Sequence, residues 1–268
     1  MPRMKLIPFF ILSAFLLFSC RSRVYNIPTG SMEETLPVNS KILVKNSSSF
    51  QRDDIVVFNY YGNNYTVQPD ENRQWPQHWE KRVYRLVAIS GDIIEIRNGD
   101  LFINDKKVTL PPKALMPYEI KATTFLDDLP ERKEFPVQIK SRLGDTIIYT
   151  AALTTEQVVQ FRQRKPAVIS VEKEMATFTY TEPMITRNDE KNQWTLDNYG
   201  PLKIPSPGEK IVVTRFNYTL YQNIPGIREG EQVLKEKLYF VMGDNRHKAQ
   251  DSRFIGFIPY SNMIGVVK

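Results

Sequence analysis

The chain has 268 residues, 41% of them hydrophobic, with 18 prolines against 12 glycines and a formal net charge of +6. That length fits one elaborate domain or two modest ones, and the composition excludes global disorder. Two histidines and one cysteine exclude most metal sites built from those ligands and any internal disulfide, and no cofactor is expected.

The basic residues are dispersed, without zinc-finger or RNA-binding spacing, so no nucleic-acid partner is expected; a basic surface near anionic lipid fits better. The N-terminus runs from MPRMK through the mostly apolar stretch Leu6–Phe18 to Ser19-Cys20. This stretch is short of the roughly 20 residues that a bilayer span needs, and it suits a secretory h-region. Leu17-Phe18-Ser19-Cys20 resembles a bacterial lipobox, with Cys20 as the lipidated residue. An uncleaved, slightly short transmembrane anchor is the alternative. Both readings expect residues 1–20 to tether an exported chain to membrane lipid, the rest lying on the extracytoplasmic side.

After a linker, IPTGSMEETLPVNSKILVKN places a turn around Thr29-Gly30-Ser31 before a strand at KILVK. QRDDIVVFNYY ends in a continuous β-branched and aromatic run, the mark of a buried strand. Residues 62–80 read as a polar loop with Trp75 and Trp79, which are candidate interfacial anchors or, more plainly, partly buried loop residues. RLVAISGDIIEIRNGDLFINDKKV reads as strand, Gly-Asp turn, strand, Asn-Gly-Asp turn, strand: an antiparallel meander. Residues 109–233 are rich in turn signals, with one short helix at TTEQVVQFRQR, where Thr154 and Gln157 make a weak capping box. We read them as an inserted subdomain between core segments 21–108 and 234–268. The last segment is a strand, a dense polar loop GDNRHKAQDSR and a return strand. The fold class is mostly β, an antiparallel core with an inserted β-rich second subdomain and very little helix.

Three stretches stand out in this order: PTGSM, YRLVAISGD and YFVMGDNRHKAQDSR. Together with RDDIVVFNY they resemble the boxes of the bacterial type I signal peptidases, and WTLDNYGPLKIP resembles a segment of the Bacteroidetes branch. The resemblance implies a signal-peptidase-like core and a membrane-tethered serine endopeptidase with a Ser–Lys dyad, removing signal peptides from exported pre-proteins. It implies Ser31 as nucleophile and Thr29 as a hydroxyl that helps bind the oxyanion. Arg85, Asp244, Arg246, Asp251 and Arg253 match framework residues. Tyr25, Ile27, Met32, Leu36 and Val83 fall where the family builds shallow apolar pockets for small side chains. Glu34 stands where the nucleophile box has its second proline.

One departure concerns the base. Counted back from Gly91-Asp92, Arg85 takes the place of the family's arginine, and the lysine's place falls on Tyr84. The serine that helps hold that lysine is here Ala249. Lys81 lies three residues early, which in a strand means the opposite face and a displacement of roughly 10 Å. A lysine reaches only on the order of 6 Å from its Cα. A β-bulge would correct the face and close part of that gap. Lys248 and His247 are alternative bases, and Lys81-Arg82 also reads as a solvated basic pair. The sequence therefore leaves three readings: an active peptidase with a displaced lysine-type base, leaning towards Lys81; a silent or weak homologue that binds signal peptides or a membrane partner; and a different exported lipoprotein with an unrelated β fold.

Overall fold

The computed structural model describes residues 22–60, 80–126, 137–164, 166–176 and 194–268. The lipobox or anchor reading with Cys20, both loop tryptophans, and His78 lie outside the described residues. Among the described residues no helix is long and apolar enough to cross a membrane.

The first strands are β1 (Ser22–Asn26), β2 (Lys41–Asn46), β3 (Ile55–Tyr60) and β4 (Glu80–Ile89). A short meander follows as β5 (Ile93–Arg97), β6 (Asp100–Ile103) and β7 (Lys106–Lys107). Then come β8 (Met116–Ala122), β9 (Gln138–Leu143), β10 (Thr146–Leu153), α1 (Thr155–Arg162) and β11 (Val168–Lys173). The chain continues through β12 (Tyr199–Lys203), β13 (Lys210–Val213), α2 (Tyr218–Tyr221) and β14 (Gly230–Val233). It closes with β15 (Leu238–Met242), α3 (Ser252–Ile255), β16 (Ile258–Pro259) and β17 (Met263–Val267). The fold is mostly β, as the composition and turn spacing imply.

An antiparallel sheet ordered β1-β2-β17-β3-β4-β15-β16 forms the centre. β15 shows why. All five residues of LYFVM are buried, with Tyr239 and Val241 packed into one core and Leu238, Phe240 and Met242 into another. Side chains alternate faces along a strand, so a strand buried on both sides needs an unbroken apolar run. Each such side chain contributes about 1.5–3 kcal/mol by its burial. Tyr84 and Leu86 of β4 enter the same core as Val241, and Val87 enters the other.

The expected meander needs one revision. The Asn98-Gly99 turn does join a hairpin, with both residues at positive φ (50° and 75°), as a tight turn there demands. The Gly91-Asp92 turn joins none. β4 belongs to the central sheet, and β5 to a second sheet ordered β12-β5-β6-β7. Asp92 makes the corner: its carboxylate accepts from the Ile89 N–H (2.9 Å), from Asn104 Nδ2 (2.9 Å) and from Arg52. Within 109–233, β8 to β11 form their own sheet, whereas β12 returns to pair with β5. Helix α1 starts on the capping box read from sequence: Gln157 N–H donates to Thr154 Oγ1 (3.3 Å), and Thr154 N–H donates to Gln157 Oε1 (2.8 Å). After the polar loop the chain turns through α3 before its return strand, a one-turn helix that the sequence pattern did not suggest.

Candidate active site

The turn expected at Thr29-Gly30-Ser31 is a 3₁₀ turn over Gly30–Met32, between the exit of β1 and the entry of β2. The loop from Gly243 to Asp251 anchors it. Asn245 N–H donates to the Ser31 carbonyl (3.0 Å) and Asn245 Nδ2 to the Gly30 carbonyl (3.1 Å). Asp244 N–H donates to Met32 Sδ (3.3 Å), and the Thr35 hydroxyl donates to Asp244 Oδ2 (2.6 Å). Gly243 lets the two segments meet. A Cβ there would collide with the Ala249 methyl, lie 2.7 Å from the Ser31 carbonyl oxygen and 3.4 Å from the Tyr84 ring. Ser31, Tyr84 and Ala249 therefore converge from three distant parts of the chain.

The Ser31 hydroxyl is half-buried and sits 3.3 Å from the Thr29 hydroxyl. The Tyr84 hydroxyl lies within interaction range of it. Tyr84 is 5% exposed, leans on Phe58 (ring centroids 6.1 Å apart) and donates to the Gln250 carbonyl (3.2 Å). Burial, helped by the Asp251 charge, pushes the Tyr84 hydroxyl above its ordinary range, against opposing effects of Arg82, Ser31 and Arg253. Arg82 donates to the same Gln250 carbonyl (3.1 Å) and lies over the Tyr60 ring.

Two ion pairs brace the loop. Arg85 holds Asp244 through Nε–Oδ1 (2.9 Å) and Nη2–Oδ2 (2.7 Å), with the Asp244 side chain fully buried. The hydrogen bond to Asp244 raises the Arg85 pKa above its ordinary value. Arg253 holds Asp251 through Nε (2.9 Å) and Nη2 (2.8 Å), and Asp251 Oδ2 also accepts from the Gly243 N–H (3.0 Å). Forked arginine–carboxylate bonds fix orientation as well as charge. Arg246 is buried without such a partner.

The pocket residues read from sequence gather in one core. Ile27, Met32 and Leu36 are buried beside Tyr84, and Tyr25 and Val83 pack against them. The base candidates do not gather there. β3 and β4 pair without a register shift from Ile55↔Arg85 to Tyr60↔Glu80, so no bulge corrects the face of Lys81. Lys81 is exposed, opposite Asn59, and an odd offset from Tyr84 turns it to the other side of β4. Lys248 Nζ lies 3.6 Å from Glu33 Oε2 with 66% of its side chain exposed. His247 Nε2 lies 2.9 Å from Asp197 Oδ1. Among the described residues no lysine or histidine hydrogen-bonds to Ser31. Two contributors escaped the sequence reading. Asn245 was legible only as part of a polar motif, and Gly243 only as a turn, because both act through contacts across the fold.

The sequence model of the family described as "Signal peptidase, peptidase S26" matches residues 2–268. A protein of Haemophilus influenzae named signal peptidase I is 26% identical over 263 residues, 94% of this chain and 63% of the relative. The chain thus spans less than two thirds of that relative's length. A Bacillus subtilis protein named signal peptidase I U is 29% identical over 180 residues, 58% of this chain and 88% of the relative. A signal peptidase I of Aquifex aeolicus is 61% identical over a stretch of 33 residues, 12% of this chain and 13% of the relative.

Proposed function

Because the chain belongs to the signal peptidase family S26, we propose that it takes the signal peptides of exported pre-proteins and cuts them slowly, with Ser31 as nucleophile. The enzyme acts from the extracytoplasmic side, tethered to membrane lipid by its N-terminal segment. Ser31 Oγ attacks the scissile carbonyl as its proton passes to the ionised Tyr84 oxygen, the oxyanion is met by the Thr29 hydroxyl and the Ser31 N–H, and collapse of the adduct breaks the C–N bond, the amine leaving with that proton before water releases the acyl group. One such donor is worth roughly 3–4 kcal/mol. The apolar ground around Ile27, Met32, Leu36 and Val83 selects small side chains, as in an Ala-x-Ala site. Arg85, Asp244, Arg246, Asp251 and Arg253 hold the framework.

The slow rate follows from the buried Tyr84 beside Ser31. Burial favours the neutral form of any group. For a lysine the neutral form is the base, so burial activates it. For a tyrosine the base is the anion, so the same burial suppresses it. With a pKa above 10, fewer than about one Tyr84 in a thousand is ionised at pH 7. Lys81 as base is not supported by this geometry, and Lys248 sits on Glu33 and His247 on Asp197 rather than in a hydrogen bond with Ser31. A second reading, a silent homologue that binds signal peptides or a membrane partner without cutting, is favoured by the joint presence of Tyr84 and Ala249. Incubation with a labelled pre-protein across pH 7–10, beside Ser31→Ala, tests both. The peptidase reading requires cleavage that depends on Ser31 and rises with pH. Binding without cleavage at any pH overturns it in favour of the second reading.

A further inference from the structure

A cavity of about 780 Å³ lies on the side of β4 away from Ser31. Arg85 and Val87 line it, whereas Tyr84 and Leu86 face the opposite core. Its floor is buried: Leu101, Met116, Leu196 and Met242, with Arg246 and Arg253 among them. Its rim carries exposed Lys107, Thr109, Glu156 and Val159. Ligand sites are commonly about 300–1,000 Å³, mostly apolar, with a few fixed polar groups.

Four of the five cations in this wall have carboxylate partners. Arg85 pairs with Asp244, Arg253 with Asp251, and Lys107 and Lys173 share Asp100 at 2.7 Å each. Arg246 has none. It is 4% exposed; Nη1 contacts Met242 Sδ at 3.0 Å, and Nε has no hydrogen-bond partner. No acid forms an ion pair with it among the described residues; the Asp244 and Asp251 charges act on it only from their own pairs with Arg85 and Arg253. Asp197 holds His247 and the Ala176 N–H, and Asp53 and Glu156 are exposed. A buried charge left unpaired is costly. Burial, with the neighbouring Arg253, pulls Arg246 down to about 10, so it remains cationic at neutral pH.

We propose that this cavity binds an aliphatic monocarboxylate, the carboxylate paired with Arg246 and the chain lying on Leu101, Met116, Leu196 and Met242. The site is distinct from the Ser31 cleft and does not depend on whether that cleft cuts. The loop joins the two, since Arg246 directly follows Asp244 and Asn245, which anchor the Ser31 turn. Calorimetric titration of the purified full chain with sodium octanoate, octanol and acetate tests the site. We expect saturable binding of one octanoate per chain, at least tenfold tighter than octanol or acetate, and weakened at least tenfold by Arg246→Met. Leu110→Trp, which adds bulk to the cavity wall while leaving Arg246 in place, is expected to weaken octanoate binding at least tenfold. It decides the matter should Arg246→Met fail to fold, as thermal unfolding will report. Octanol binding as tightly as octanoate, non-saturable uptake, or unchanged binding in a folded Arg246→Met or Leu110→Trp chain overturns the proposal.

Discussion

Installing a lysine where Tyr84 stands tests the chemistry proposed for the cleft. The perturbation is Tyr84→Lys with Ala249→Ser. The new amine occupies a site that is 5% exposed beside Ser31, and the new hydroxyl replaces a buried methyl packed against Gly243. A buried catalytic lysine tuned to about 7.5 is half neutral at pH 7.5. A tyrosine above 10 is ionised in fewer than about one molecule in 300 at that pH. Population alone therefore favours the lysine by at least about 150-fold. The stronger basicity of a tyrosinate returns part of that, so the double variant should cleave about 10–100-fold faster at pH 7.5. The assay is steady-state cleavage of a labelled pre-protein, with peptide affinity measured in parallel. The wild-type rate should climb with pH, because the base form appears only near the raised Tyr84 pKa. The variant's rate should level off near its lysine pKa. An unchanged rate in a folded variant that still binds peptide would refute the reasoning that Tyr84 sits in the base's place.

Further outcomes concern the framework. Asp244→Asn leaves the partly buried Arg85 without its counter-charge and should cost about 3 kcal/mol in denaturant unfolding, whereas Arg85→Met with Asp244→Leu should cost much less than the sum of the single changes. Gly243→Ala forces a methyl against Ala249 and the Ser31 carbonyl, and should lower stability by about 1–3 kcal/mol and weaken peptide binding. Glu34 sits at φ 69°, so Glu34→Gly should be neutral or stabilising by thermal melt. Glu34→Pro, which restores the residue of the resembled nucleophile box, should destabilise because proline is confined to φ near −65°.

What could be read from sequence followed the range of the interactions. The buried strand at Ile55–Tyr60, the Asn98-Gly99 hairpin and the Thr154 cap are set by nearest neighbours, and alternation or turn chemistry makes them visible. The Gly91-Asp92 corner was read as a hairpin because its decisive partners, Arg52 and Asn104, lie 40 and 12 residues away. In the site, gapless counting from Gly91-Asp92 moves the base position to Tyr84, and strand alternation turns Lys81 away. The pH consequence needs burial, which no local pattern reveals. Nor does any pattern show that Arg246 lacks a carboxylate while Arg85 and Arg253, in the same motifs, each hold one.

The most direct measurement is the pH–rate profile of pre-protein cleavage by the unaltered chain, run beside Ser31→Ala. The account predicts cleavage that vanishes with Ser31 and rises about tenfold per pH unit from 7 to 9, with no plateau, as a single hydroxyl of pKa above 10 requires. A plateau with its midpoint near neutrality, or cleavage that survives Ser31→Ala, would contradict it.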